Sequence, residues 1–157
     1  MSVIAPTGVA PARSNGHPAG LHAVAPRLID AWNTHDPREV EVLFSEDCVL
    51  EDCAIAVPLR GHRGLRRAVL FNFLAFPDVR FELVSQICEG ERIAMEWRAG
   101  ATHTGRFMGI PATGRRVALE GITLLMLRDG RIARLRRVWD IAGVIRQVGL
   151  LPELPQI

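Results

Sequence analysis

Lysine and tyrosine are both missing from these 157 residues, and all 19 basic side chains are arginine. Their absence excludes a Schiff-base or phosphate-loop lysine and a tyrosine proton donor. Proton transfer is left to Asp, Glu, His and Cys. Cysteine is scarce and odd in number: Cys48, Cys53 and Cys88, with no CxxC spacing. Three such residues are expected to be reduced, buried packing residues of a cytoplasmic protein, with no metal site. No apolar run approaches the roughly 18 residues of a membrane span. The net charge is only +2 and the arginines are interleaved with acids. Neither a membrane nor a nucleic-acid partner is indicated.

What remains is an ordinary globular composition, 48% apolar and 23% charged, in a chain long enough for one well-filled core. Residues 1–19, MSVIAPTGVAPARSNGHPA, are rich in Ala, Pro and Gly and show no periodicity, so a flexible tail is expected there. Residues 20–157 are read as a single domain. Leu28, Ile29 and Trp32 lie on one helical stripe within about residues 20–34, and Pro26 marks an early turn or kink. Asp36, Pro37 and Glu39 have the spacing of a capped start, predicting a short helix that ends near Phe44. A strand is expected over 46–55 and a helix over 61–76, stopped by Pro77.

From there the apolar period changes to two. Strands are predicted over 79–88, 92–103, 117–127 and 132–139, joined by EGER and RDGR turns, with a short helix over 140–149. Helices followed by an antiparallel meander make an α+β fold. A curved, mostly antiparallel sheet wrapped round the N-terminal helices would form a cone with an internal pocket.

The last strand poses a chemical question. Alternation puts Arg134 and Arg136 on one face, and Arg137 on the other with Leu135 and Trp139. If that second face is internal, a guanidinium is buried.

The segment THTGRFMGIPATGRRV, followed by DGRI and DIAGVIRQVG, resembles the SnoaL-like polyketide cyclase family, whose cone fold is shared with scytalone dehydratase, limonene epoxide hydrolase and ketosteroid isomerase. AWNTHDPREVEVLFSED resembles the opening two helices of that family, and the likeness spans about residues 22–150. It implies a homodimer, no cofactor, and an apolar pocket for a polyketide closed by an intramolecular aldol reaction. It also implies a catalytic carboxylate seven residues after the Gly of the DG turn. Here that position is Arg137, and Thr123 stands where a pocket histidine is usual.

By the same resemblance Leu119, Gly121, Thr123 and Leu125 face the pocket with Arg137. Met95, Trp97, Ala99 and Ala101 form another inward row, with His103 in the same parity. Leu50 shares a face with Asp52, the nearest plausible counter-charge, expected to meet Arg137 across the pocket. Asp52 is the expected acid/base, Arg137 the oxyanion clamp, and His103 a catalytic helper. Trp32, Leu50, Trp97, Thr123, Leu135, Trp139 and Asp140 are the expected substrate contacts, Asp140 doubling as a helix cap. The outer face carries Ile122, Leu124 and Met126, a row too apolar to leave wet, which suits a homodimer. Three functions stay open: a cofactor-independent cyclase, an epoxide-opening hydrolase or cyclase with two bridged carboxylates, and a binding protein without catalysis.

Overall fold

The computed structural model describes residues 20–152. The expected tail, residues 1–19, and residues 153–157 lie outside the described residues. The first helical segment is divided. A 3-10 turn over Leu21–Ala23 leads into α1 (Val24–Asn33), with Pro26 in the first helical turn, where its missing N–H has no helical partner to lose. Helix α2 (Pro37–Glu41) is capped by Asp36, whose side chain accepts from Arg38 N at 2.9 Å. The reciprocal half of the capping box is absent, because the Asp36 amide goes to Thr34 Oγ1 instead of Glu39. This helix ends before Phe44, the first residue of β1 (Phe44–Asp52). The strand stops three residues short of the expected 55, since Ile55 N turns back onto Asp52 O at 2.9 Å. A two-residue strand, β2 (Leu59–Arg60), went unpredicted; it is too short to show a period.

Helix α3 (Gly61–Ala75) follows, then the meander β3 (Arg80–Glu89), β4 (Arg92–Thr102), β5 (Arg116–Arg128) and β6 (Arg131–Trp139), and α4 (Ile141–Gln147). The six strands form one curved, unclosed sheet in the order β2-β1-β6-β5-β4-β3. Every neighbouring pair is antiparallel except β1 with β6. That parallel pair joins the first strand to the last.

Register partners share a face, so the pairings define ranks across the inner surface. One rank runs Met95, Thr123, Arg137, Asp52; the next runs Ile93, Leu125, Leu135, Leu50. Met95, Ile93 and Leu125 are almost fully buried, while Ile122, Leu124 and Met126 on the outer face are 54%, 51% and 39% exposed. The predicted alternation therefore holds. Helices α1 and α3 cover the inner face, and the core between them includes Phe44, Leu65 and Ile132, each fully buried. Burial of side chains that size contributes roughly 1.5–3 kcal/mol apiece.

Two glycines allow close approaches that shape the interior. A Cβ on Gly121 would lie 2.6 Å from Trp97 and 2.8 Å from Trp139 Cβ, so two indoles flank β5 only because this residue is glycine. A Cβ on Gly105 would sit 1.7 Å from Leu74 O, and Gly105 N donates to Ala75 O at 3.0 Å. The β4–β5 connection is thereby seated on the C-terminal end of α3. Among the cysteines Cys48 is buried as expected, but Cys53 is exposed because β1 ends just before it.

Candidate active site

Between the inner face and the two helices lies a narrow, largely apolar cleft. Leu28, Ile29 and Trp32 reach it from α1, and Ala68 from α3. The sheet contributes Leu50, Trp97, Thr123 and Leu135, all expected contacts, together with Asp52 and Arg137. An outer groove shares Asp52 and Arg137 with the cleft and adds Phe71, Phe107, Met108 and Trp139. The ion pair therefore stands where the cleft meets the groove.

Asp52 and Arg137 do not meet across the pocket. They are direct register partners on neighbouring strands, a consequence of the parallel β1–β6 pairing. Arg137 Nε donates to Asp52 Oδ2 at 2.6 Å, and Nη2 lies 2.5 Å from the same oxygen. The other carboxylate oxygen, Oδ1, accepts from Trp139 Nε1 at 3.0 Å and Ala54 N at 2.8 Å. Both side chains are largely buried, at 14% exposure for Arg137 and 8% for Asp52. Burial pushes the Asp52 carboxyl up. The Arg137 charge and the donors from Ala54, Trp139 and Arg137 outweigh it and hold the group below the ordinary aspartate value. The guanidinium also packs over the Trp32 ring, with Cζ 5.7 Å from its centroid.

Trp32 is core and cavity wall at once, since its ring meets Phe73 and Phe81 while lining the cleft. Thr123 accepts from Trp97 Nε1 at 2.9 Å, which satisfies two buried polar groups and fixes the indole.

Two expected site residues are elsewhere. His103 keeps the inward parity and is fully buried, but it lies just past the end of β4 and does not line the cleft or groove. Its Nδ1 is 3.0 Å from Thr113 Oγ1, and its ring packs on Phe76 and Phe107. It props the loop that carries Phe107. Asp140 is a cap: its Oδ1 accepts from Gly143 N at 2.8 Å, and it borders two surface grooves beside Glu120, apart from the cleft. The strand ends at Trp139, so the inward alternation stops one residue before Asp140.

Phe71, Phe107 and Met108 were missed. Apolar residues in the Gly- and Pro-containing loop RFMGIP were the available signal for the last two, because a loop without a wall to build has no need of them. Among the described residues no three His, Cys, Asp or Glu side chains gather as a metal-ligand set. Nor, among the described residues, is any helix long and apolar enough to cross a membrane.

Known proteins agree with this architecture. The chain is 30% identical over 126 residues to the aklanonic acid methyl ester cyclase DauD of Streptomyces sp. (strain C5), covering 78% of each sequence. Among solved structures, AclR of Streptomyces galilaeus, a candidate hydroxylase, superposes with a TM-score of 0.77 at 28% identity, over 88% of this chain and 90% of that one. A candidate SnoaL-like polyketide cyclase from Jannaschia sp. CCS1 gives 0.80 at 18% identity, over 88% and 99%, a likeness of fold alone. The family pattern for SnoaL-like polyketide cyclase matches residues 22–148. With that match laid over an open sheet, two covering helices and an apolar cleft, the chain belongs to the SnoaL-like polyketide cyclase family.

Proposed function

We propose that the protein closes a ring in a polyketide-like intermediate of secondary metabolism by an intramolecular aldol reaction, with no cofactor. The carrying observation is Arg137, a guanidinium held at the junction of an apolar cleft and an apolar groove. In an aldol closure negative charge gathers on a carbonyl oxygen. A pre-positioned cation in a water-poor site stabilises that charge far more than bulk water would. The cleft supplies the folded substrate conformation, which for an intramolecular reaction accounts for much of the rate. Trp32 and Trp97 offer flat apolar walls to a ring system.

Epoxide opening is less well supported. It calls for two carboxylates bridged by an arginine, yet Glu51, the other acid at the cleft, is turned to Arg134 by two hydrogen bonds. The direct assay is incubation with aklanonic acid methyl ester, the compound named in DauD, followed by liquid chromatography with mass detection, which separates isomers by retention time. A cyclised isomer of unchanged mass is expected, with turnover lost in Arg137→Leu. Equal turnover by wild type and Arg137→Leu overturns the proposal. A product heavier by one oxygen would assign hydroxylation instead, the activity suggested for AclR.

The exposed outer row of Ile122, Leu124, Met126 and Val138 supports pairing with a second copy through this face. Light scattering at micromolar concentration is expected to give a dimer mass; a monomer mass refutes it.

A further inference from the structure

Resting on the reading above, the charge arrangement of the cleft says more about its substrate. Among the described residues two carboxylates line the cleft, and the oxygens of both are occupied: Glu51 is held by Arg134, and Asp52 is fully engaged. Oδ1 already takes two donors, Ala54 N and Trp139 Nε1, and Oδ2 is covered by two nitrogens of one guanidinium. A carboxylate has about four acceptor positions. One so engaged has little room to collect a proton from carbon, and collecting it would break the pair. Among the described residues no histidine lines the cleft or the groove.

Arg137 is in the opposite condition. A guanidinium carries five N–H groups. Nε–H goes to Asp52 and Nη2 lies against the same oxygen, while no acceptor among the described residues takes the Nη1 hydrogens. Two donors on a buried cation thus remain for whatever enters. The Trp32 ring beneath the guanidinium and Asp52 beside it hold its plane fixed.

We infer that the site takes its substrate as a ready-made delocalised oxyanion, an ionised 1,3-dicarbonyl or phenol of a flat polycyclic skeleton. Arg137 binds that oxyanion and, through its remaining N–H groups, the attacked carbonyl oxygen to which the charge passes as the C–C bond forms; Asp52 is a positioning residue for Arg137. The chemistry balances without a protein base. The substrate gives its acidic proton to water on ionising. Its enolate carbon then attacks the internal carbonyl carbon, forming the C–C bond. The carbonyl π pair moves onto oxygen, and the resulting alkoxide takes a proton from water. The product is an isomer.

The test uses 2-hydroxyanthraquinone, whose phenolate absorbs at longer wavelength than its phenol. Binding is read separately by quenching of the three tryptophans, all of which line the cleft or the groove. On the wild-type protein the apparent pKa of the bound dye is expected to fall by about one unit or more, as an opposite charge within a few ångströms produces. The fall should vanish in Arg137→Leu and persist in part in Arg137→Lys. Asp52→Asn, which keeps an acceptor for Trp139 and Ala54 N, should retain much of it, whereas Asp52→Ala should lose it. Should the wild type bind the dye with no fall in its pKa, the anion inference is wrong while the cavity reading stands. Should the wild type not bind the dye at all, both are wrong. The wild-type measurement decides even if a variant fails to fold.

Discussion

Two arginine–carboxylate pairs join the same two strands, β6 and β1, on opposite faces of the sheet. Outside, Arg134 forks onto both oxygens of Glu51, at 3.1 and 2.6 Å, with the side chains 51% and 27% exposed. Inside, Arg137 rests on one oxygen of Asp52 with both side chains largely buried. The outer pair has the better fork and the lesser consequence, because water and salt screen it. The inner pair is largely withdrawn from water. Trp139 and Ala54 hold the second oxygen of its carboxylate, and its arginine lines a cavity. Hydrogen-bond geometry alone would rank the two wrongly; burial decides which pair matters.

The strongest way to break this comparison is Arg137→Leu. Turnover is expected to fall by about 10²-fold or more, as for loss of an oxyanion donor. Stability should drop by about 3–5 kcal/mol, because Asp52 is left charged and buried without its partner. Steady-state kinetics and urea unfolding measure the two effects. Asp52→Asn should also impair turnover, and the double variant should be no worse than the more damaged single one, since the pair acts as a unit. Additive losses in that cycle would show that the two residues act independently.

Acid sharpens the contrast next. The folded Asp52 value lies below the unfolded value of 3.8. The stability this contributes is therefore fully present above the unfolded value and is lost as pH falls through the folded one. Stability followed from pH 6 to pH 2 should show a loss that is smaller in Asp52→Asn, the remainder coming from the other paired carboxylates such as Glu41 and Glu51. Thr123→Val in the same inner rank removes the buried acceptor of Trp97 Nε1 and should cost about 1–3 kcal/mol, with a shift in tryptophan emission. The smallest effect is expected for Arg134→Leu, with turnover within twofold of wild type and melting temperature nearly unchanged in 0.15 M salt. A large loss there would mean the outer pair is covered by another chain.

Much of this was legible because strands write their geometry into alternation. The inward row Met95, Trp97, Ala99, Ala101 and the separation of Arg137 from Arg134 and Arg136 needed only a period of two. Asp36 as a cap needed only local hydrogen bonding. Past the strand ends parity no longer told which residues reach the cavity: His103 keeps the inward side yet lines neither cleft nor groove, and Asp140 leaves the alternation. Each follows the last residue of a strand, where the chain turns. The turn that ended β1 at Asp52 was hidden because EDCAI has a strand's composition, and the turn is made by the aspartate's own backbone and side-chain oxygens.

The sequence by itself determined the α+β order, the faces of the long strands and the presence of an inward arginine where the family resemblance implies an acid. These are local or periodic properties, set by side-chain size and polarity along one strand at a time. Only the tertiary structure decided that Asp52 and Arg137 stand side by side, since β1 meets β6 in parallel across an 85-residue separation that no local pattern records. It also decided which Asp52 oxygen each donor takes and which guanidinium nitrogen stays free. Those choices depend on distances of about an ångström between strands brought together by packing, and packing is a property of the whole chain.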